Sequence, residues 1–308
     1  MKVSVIIPCY NVEGFIADCI DSALAQTYLD TEIICVENNS TDDTWNILLA
    51  YAEKYPQKIK IAKELRQGAP AARNLGITLS SGEWLQFLDA DDILRPEKIT
   101  HQIELIKTHQ PEPDVIVGAI QKKYADGKIA DIELFTKDIW QSMVKGRAGS
   151  TCSNLYRKSA VAEVGGWNEN KRSSQEAYFL FAILKRGKSI LFDPLPLTLV
   201  RERLQGSITS TDKAGNWERY IELRMEIWDF LKSDHLLTEE TEMILKQTAF
   251  DSIRSLYTLD PNRAMEIYNK VVKNRFRPVK SIVTSRIYLF FYKLFGFKVV
   301  QRLKSRLR

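Results

Sequence analysis

Glu83-Trp84-Leu85-Gln86-Phe87-Leu88-Asp89-Ala90-Asp91-Asp92 is an apolar run that ends abruptly in three carboxylates. The run 84–88 predicts a buried strand whose carboxyl end opens into a polar crevice, the place where open α/β sheets bind ligands. Carboxylates crowded at one strand end repel each other and cost stability unless a cation or hydrogen-bond donors compensate. Hard cations such as Mg2+ and Mn2+ take oxygen ligands and keep ligand phosphates in their shell. The stretch therefore points to a metal–phosphate site. The plainer alternative is a solvated turn with an aspartate capping the helix after Pro96.

The flanking sequence repeats the strand-then-polar-loop pattern. Residues 2–8 are rich in Val and Ile with little alternation, which predicts a strand buried on both faces in a parallel sheet. Asn11 is placed to cap a helix with Phe15, Ile16, Cys19, Ile20, Ala23 and Leu24 at its apolar positions. A second buried strand, 32–36, runs into Glu37-Asn38-Asn39-Ser40-Thr41-Asp42-Asp43-Thr44 and a helix with Trp45, Leu48, Leu49 and Ala52 on one face. A strand over 58–63, a helix over 71–79, a helix from Pro96 to about His109 and a strand over 114–120 continue the alternation. Residues 124–128 read as a hairpin turn. Such alternation with short links is the pattern of a doubly wound sheet, and its polar loops should converge on one crevice. No Gly-x-Gly-x-x-Gly and no Walker-type Gly-Lys-Ser/Thr is present, so the ordinary dinucleotide and P-loop readings lose their support.

Composition narrows the class. With 308 residues, 44% hydrophobic and 27% charged, the chain is an ordinary globular protein of one large or two modest domains. Cys9, Cys19, Cys35 and Cys152 are scattered in apolar surroundings without metal-ligand spacing, which reads as reduced core residues of a cytoplasmic protein. The apolar start is too short for a signal peptide, and no run is long enough for a transmembrane helix. The net charge of +5 hides an asymmetry. Residues 267–308 hold twelve Lys or Arg and no acidic residue; the other 32 basic groups (44 less those twelve) stand against 39 acidic ones, a net of −7. A basic tail on an acidic body suggests an anionic surface as partner.

Beyond residue 135 the pattern is less regular. A helix with Ile139, Trp140 and Met143, a strand-like 151–156, a tight turn at Gly165-Gly166-Trp167-Asn168 and an apolar helix over 177–184 precede two edge strands, 189–192 and 197–201. The polar stretch 205–212 suits a lid or linker. The rest of the chain is helical in pattern, ending in an amphipathic 281–308 that Gly296 should kink.

Four segments together resemble the family 2 glycosyltransferases with the GT-A nucleotide-sugar-binding fold. Ser4-Val5-Ile6-Ile7-Pro8-Cys9-Tyr10-Asn11 resembles their opening strand, 37–44 their second loop, and Gln67-Gly68-Ala69-Pro70-Ala71-Ala72-Arg73-Asn74-Leu75-Gly76 their third. Asp89-Ala90-Asp91-Asp92 stands where their Asp-x-Asp metal motif stands. All four occur in order over roughly residues 2–205, which makes chance a poor explanation. The resemblance implies a GT-A domain over 1–205, with donor binding in about 1–120 and acceptor binding in about 121–205. A helical region with a basic amphipathic tail, 206–308, would complete the chain.

The resemblance also implies roles. Pro8, Tyr10 and Glu37 would line a uracil and ribose pocket, with Tyr10 stacking on the base and Arg73 closing the far side. Asp89, with Ala90 beside it, would hold ribose or a metal-bound water, and Asp91 would ligate the Mn2+ or Mg2+ that bridges the donor's phosphates. Glu176 would be the base that removes the acceptor hydroxyl's proton in an inverting transfer. Two departures stand out: Glu37 replaces the usual Asp, and Gln175-Glu176 replaces the usual Glu-Asp before an apolar helix. Glu176 could instead simply favour a helix N-terminus. Trp167 is a candidate sugar platform, with ordinary packing as its alternative. Arg201 and Arg203 are candidates for the donor's diphosphate.

The expected function is transfer of a sugar from a nucleotide-sugar donor, UDP-linked, to a saccharide or lipid-linked acceptor in cell-surface polysaccharide synthesis. The tail 279–308 would rest on the inner face of an anionic membrane, the alternative being that its apolar face packs on the helical region or on a second subunit. The alternative is a non-catalytic sugar-nucleotide-binding or membrane scaffold protein with a relic active site. A nucleotidyltransferase would need a Gly-rich phosphate loop where Pro8-Cys9-Tyr10-Asn11 stands. Nucleic acid is not expected as a partner, because the tail has an apolar face and the chain lacks basic strands interleaved with aromatics.

Overall fold

A computed structural model describes residues 1–203, 212–272 and 276–306. They fall into two compact units, one of residues 1–136 and 146–204, the other of 137–145 and 205–308. The first unit opens with β1 (Val3–Cys9), α1 (Ile16–Leu24), β2 (Thr31–Glu37), α2 (Thr44–Lys54), β3 (Ile59–Lys63), α3 (Ala69–Leu79), β4 (Trp84–Phe87), β5 (Ile93–Leu94) and α4 (Lys98–Thr108). Next come β6 (Val115–Gly118), β7 (Ile120–Lys123) and β8 (Ile129–Ile132). After α5 (Ile139–Lys145), which groups with the second unit, the first resumes as β9 (Leu155–Arg157), α6 (Lys158–Glu163), α7 (Gln175–Leu184), β10 (Ile190–Asp193) and β11 (Thr198–Arg201).

The larger sheet has the order β10-β6-β9-β4-β1-β2-β3. β1 is parallel to both β2 and β4, β2 to β3, and β10 to β6, while β9 runs antiparallel to β4 and β6. This is the expected α/β class: a mostly parallel central sheet flanked by helices, with a helical C-terminal region. The chain builds outward from β1 to β3 and then crosses back to place β4 on the other side of β1. That reversal makes the carboxyl ends of β1 and β4 the switch point where such sheets bind ligands.

β1 and β2 are buried along nearly their whole length because both faces are covered. On one face Val3, Val5, Ile7, Ile33, Cys35 and Trp84 share a core with Ile16, Cys19 and Ile20 of α1 and Ile99, Ile103 and Ile106 of α4. Each such side chain contributes about 1.5–3 kcal/mol by leaving water. On the other face α3 approaches so closely at Gly76 that an added Cβ would sit 2.3 Å from Ile6 Cγ2.

A smaller sheet, β5-β11-β7-β8, stands beside the first. Its hairpin β7–β8 turns at 124–128 as expected, with Tyr124 N–H donating to the Lys128 carbonyl at 2.8 Å. Three expectations change. The strand expected over 114–120 breaks at Ala119, and its two halves enter different sheets. Residues 151–153 form a turn, so the strand there is only Leu155–Arg157. β11 is an interior strand, because β5, directly after the carboxylates, supplies a backbone edge for it opposite β7. The candidate lid over 205–212 lies outside the described residues except for Asp212.

The second unit holds α5, α8 (Lys213–Ser233), α9 (Glu239–Tyr257), α10 (Pro261–Val271) and α11 (Arg286–Arg306). Asp212, Thr238 and Asp260 cap α8, α9 and α10, each side chain accepting a backbone N–H of the first turn. α5 is fastened here by the buried Arg224 of α8, which donates to the carbonyls of Met143 and Val144. Phe250 of α9 centres an aromatic cluster with Tyr288, Tyr292 and Phe297 of α11. α11 is interrupted at Gly296 (φ 71°, ψ 174°), the kink expected from the sequence. No described helix is long and apolar enough to cross a membrane.

Candidate active site

β4 pairs with β1 from Val3↔Trp84 to Ile6↔Phe87, and Leu88 N–H continues the ladder to the Ile6 carbonyl at 2.9 Å. The carboxylates therefore emerge beside Ile7 and Pro8. Asp89 accepts Arg73 Nη2 at 2.6 Å, and its backbone N–H donates to Cys152 Sγ at 3.2 Å. Arg73 is only 5% exposed. Its Nη1 donates to Gln175 Oε1 at 3.1 Å, and its guanidinium carbon lies 4.4 Å from the centre of the Trp167 ring. One cation thus joins the carboxylate loop to the first turn of α7.

Asp91 is paired with Arg203 (Nη1 to Oδ2, 3.5 Å), and burial together with the charge of Asp89 pushes its carboxyl up. Asp92 does not cap the helix after Pro96, whose N-cap position is Glu97. It is instead buried, accepting the Arg201 backbone N–H at 2.9 Å and the Cys152 thiol at 3.1 Å. Burial, then Asp89 and Asp91, push it well above the usual carboxylate range. Arg201 donates through Nε to the Asp91 carbonyl and through Nη1 to Asp18 at 2.9 Å. Both arginines lie over the Phe15 ring, at 5.3 and 5.0 Å.

Burial separates the other candidate residues. Pro8 and Tyr10 lie at the carboxyl end of β1, and Tyr10 is 48% exposed. Glu37 ends β2 opposite Cys9; it is buried and accepts the Ser40 N–H of its own loop. Ala90 is a core residue. Glu176 is half-buried in the first turn of α7, next to the Arg73-bonded Gln175. After burial and Asn154, its charge is among the influences on the buried Tyr156 hydroxyl, with Arg73 opposing it. Trp167 is corrected as a sugar platform. It is 3% exposed, stacked on Phe179 at 4.3 Å and edge-on to Phe87 at 5.0 Å, so its ring carries the Arg73 guanidinium instead. Asn74 holds its turn, exchanging hydrogen bonds with the Trp167 N–H and carbonyl at 2.8 and 2.9 Å.

Sequence reasoning missed the side chains that stitch the loops. Asn11 does not cap α1; its Oδ1 accepts the Thr41 N–H at 2.8 Å, joining the loops after β1 and β2. Asn38 donates to the Glu64 and Arg66 carbonyls and accepts the Gly68 N–H, joining the loops after β2 and β3. Cys152 was read only as a core thiol. Asparagines in a polar loop after a strand were a visible signal; Cys152 had none.

The carboxylates suit a divalent cation. Asp89 and Asp91 are hard oxygen donors, and beyond the effect of burial the charge of Asp89 pushes the Asp91 carboxyl up, a repulsion that a cation would relieve. Asp89, Asp92 and Cys152 also bring ligand atoms within 4.8 Å of one another. There, however, Asp92 and Cys152 are bonded to each other, which favours the Asp89–Asp91 side.

The Glycosyl transferase family 2 profile matches residues 4–179. The chain belongs to that family, and its fold is GT-A. An uncharacterised glycosyltransferase of Rickettsia prowazekii is 30% identical over 260 residues, 79% of this chain and 75% of that one. The poly(ribitol-phosphate) beta-glucosyltransferase of Bacillus spizizenii is 37% identical over 124 residues, 39% of this chain but only 19% of that one. Residues 1–349 of S. aureus TarS with UDP-GlcNAc superpose with a TM-score of 0.69 at 19% identity, covering 100% of this chain and 93% of that one. A Pyrobaculum calidifontis mannosyltransferase with GDP-Man and Mn2+ gives 0.58 at 15% identity, covering 99% and 86%.

Proposed function

We propose that the chain is a metal-dependent inverting glycosyltransferase. It moves a sugar from a UDP-linked donor to a hydroxyl of a saccharide or lipid-linked acceptor in cell-surface polysaccharide synthesis. The observation that carries this is the Asp89–Arg73–Gln175 bridge, which sets the carboxylate loop next to the helix bearing Glu176. The S. aureus and Bacillus relatives, through the donor and acceptor in their names, support the choice of donor and acceptor class. Tyr10, at the end of β1, stacks on the base, and Pro8 and Glu37 line the same end of the pocket. Asp91, with Asp89 beside it, would hold Mn2+ or Mg2+, which would neutralise charge on the leaving diphosphate. Arg201 and Arg203 add cationic charge at the same carboxylates. Glu176 takes the proton from the acceptor hydroxyl, whose oxygen attacks the anomeric carbon opposite the leaving group.

A thermal-shift screen of nucleotide sugars with Mn2+ identifies the donor, since a ligand stabilises only the state it binds. Asp91→Asn should abolish metal-dependent donor turnover with the fold intact. Glu176→Gln should lower turnover by roughly two to four orders of magnitude with little change in donor affinity. An unchanged rate in either variant removes that residue from its role, and saturable donor binding without release of nucleoside diphosphate would instead favour the scaffold alternative.

We also propose that α11 rests on an anionic membrane surface, placing the enzyme at its cytoplasmic face. Tyr288, Phe297 and Val300 pack into the helical unit, but Ile287, Phe290, Leu294 and Phe295 are exposed, as are Lys280, Arg286, Lys293 and Lys298. Apolar burial plus about 1 kcal/mol per well-placed cation supports such binding. Phe290→Ser with Leu294→Ser should reduce flotation with anionic liposomes; flotation equal to the parent rejects the role. Truncation is a poorer test, because it would strip Tyr288, Phe297 and Val300 from the core.

A further inference from the structure

Asp92 sits at a buried junction between two segments far apart in the chain. Oδ1 accepts the Arg201 N–H and Oδ2 the Cys152 thiol, while Cys152 Sγ accepts the Asp89 N–H. Arg201 closes the ring by donating Nε to the Asp91 carbonyl. On the side of β11 that meets the carboxylate loop, ladder pairing covers only Thr198 and Leu199. Past Leu199 that side is fastened by Asp92 and by the Arg201 side chain. This is the stretch that carries Arg203 to Asp91.

We propose that Asp92 is a positioning residue for the donor: by anchoring the Arg201 backbone it fixes Arg203 opposite Asp91, where a diphosphate can be gripped. The proposal rests on the donor assignment made above. Its chemistry is plain. Ordering a residue's backbone costs conformational entropy on top of the rotamer entropy in an Arg side chain, so a backbone already held lowers what gripping a ligand must overcome. Asp92 itself has both oxygens engaged by N–H and S–H donors, which suits it to hold the loop more than to bind the cation. Outer partners that orient metal ligands typically cost about 10–100-fold in metal affinity or activity when removed, and a group that orients a diphosphate-gripping arginine is expected on the same scale.

The test compares Asp92→Ala and Asp92→Asn, alone and with Arg203→Ala. Two readouts are used: hydrogen exchange at the Arg201 amide, and calorimetric affinity for UDP with Mn2+. The Glu202 amide, bonded to the Lys123 carbonyl, is the internal control. Asp92→Ala should expose the Arg201 amide, leave Glu202 protected and weaken UDP binding about 10–100-fold. Asp92→Asn keeps an acceptor for Arg201 and should restore both readouts to within about threefold. On the Arg203→Ala background, Asp92→Ala should weaken UDP binding no further. An Arg201 amide still protected in Asp92→Ala, or an equal loss of affinity on both backgrounds, overturns the proposal. Lost protection with UDP affinity unchanged in every variant, Arg203→Ala included, instead overturns the donor assignment and the positioning role with it.

Discussion

Replacing Arg73 with Met removes one guanidinium and keeps most of its stem. The structure sets the cost. Arg73 is buried, with a 2.6 Å ion pair to Asp89, a 3.1 Å bond to Gln175 and the Trp167 ring beneath it. Breaking a fully buried pair costs about 3–5 kcal/mol. Here Asp89 keeps a third of its side chain in water and can be resolvated, which discounts that figure. The remaining loss is one charge-assisted bond at about 1.5–3 kcal/mol and a desolvated cation–π contact at about 1–2. A total near 3 kcal/mol is expected, or a Tm lower by roughly 6–12 °C for a domain of this size. Urea unfolding followed by tryptophan fluorescence measures it directly. Donor affinity should fall as well, because both the carboxylate loop and α7 lose their shared tie. A loss below about 1 kcal/mol, with donor affinity intact, would refute the view of Arg73 as the joint between them.

Two further perturbations test the scaffold. Burial pushes the Lys98 ammonium down to about 7, and its bond to Gln86 supplies no compensating charge. The unfolded chain keeps that proton up to about 10.5, so it binds more protons than the fold between pH 7 and 10.5, and this group makes stability rise with pH across that window. Lys98→Met should flatten the slope, by at most about 1.4 kcal/mol per pH unit, in denaturation curves at pH 7 and 9; identical slopes would refute the shifted titration of Lys98. At Gly76, alanine would gain up to about 1 kcal/mol of helix propensity but place its Cβ 2.3 Å from Ile6 Cγ2. Overpacking should win, and Gly76→Ala should lower stability by about 1–3 kcal/mol, measured by the urea midpoint; a stabilised variant would mean that α3 shifts freely on the sheet.

The half of the fold nearest the N-terminus was legible because its strands are parallel and doubly buried. Such strands read as unbroken Val/Ile runs, and each ends in a polar loop that marks its carboxyl end. β1, β2 and β4 stood out for that reason, and with them the positions of Pro8, Tyr10, Glu37, Asp89 and Asp91. β7, β9 and β11 are three or four residues long and borrow their edges from distant segments, so extended stretches were legible near them but neither their bounds nor the sheet each enters. The site divides the same way. Asp92 looked like a cap because its true partner, the Arg201 N–H, is 109 residues away. Gly165-Gly166-Trp167 predicted a turn but not which way the indole points. Its burial comes from Asn74 gripping the turn and from the stacked Phe179, both of them contacts between distant segments.

Gln175 is where departure from the family pattern and geometry meet. The resemblance leads one to expect an acid there, and its absence is what lends weight to a relic site. Its Oε1 nevertheless accepts from Arg73, as a carboxylate would, so the neutral side chain keeps the tie between α7 and Asp89. What it omits is charge. Asp91 and Asp92 are already pushed up by burial and by neighbouring carboxylates. A Glu at 175 would divide Arg73 between two anions and leave Asp89 less compensated, raising the proton affinity of Asp91 further. A protonated Asp91 is a poor cation ligand. The amide therefore preserves the hydrogen bond that aligns α7 while adding no further negative charge beside Asp89.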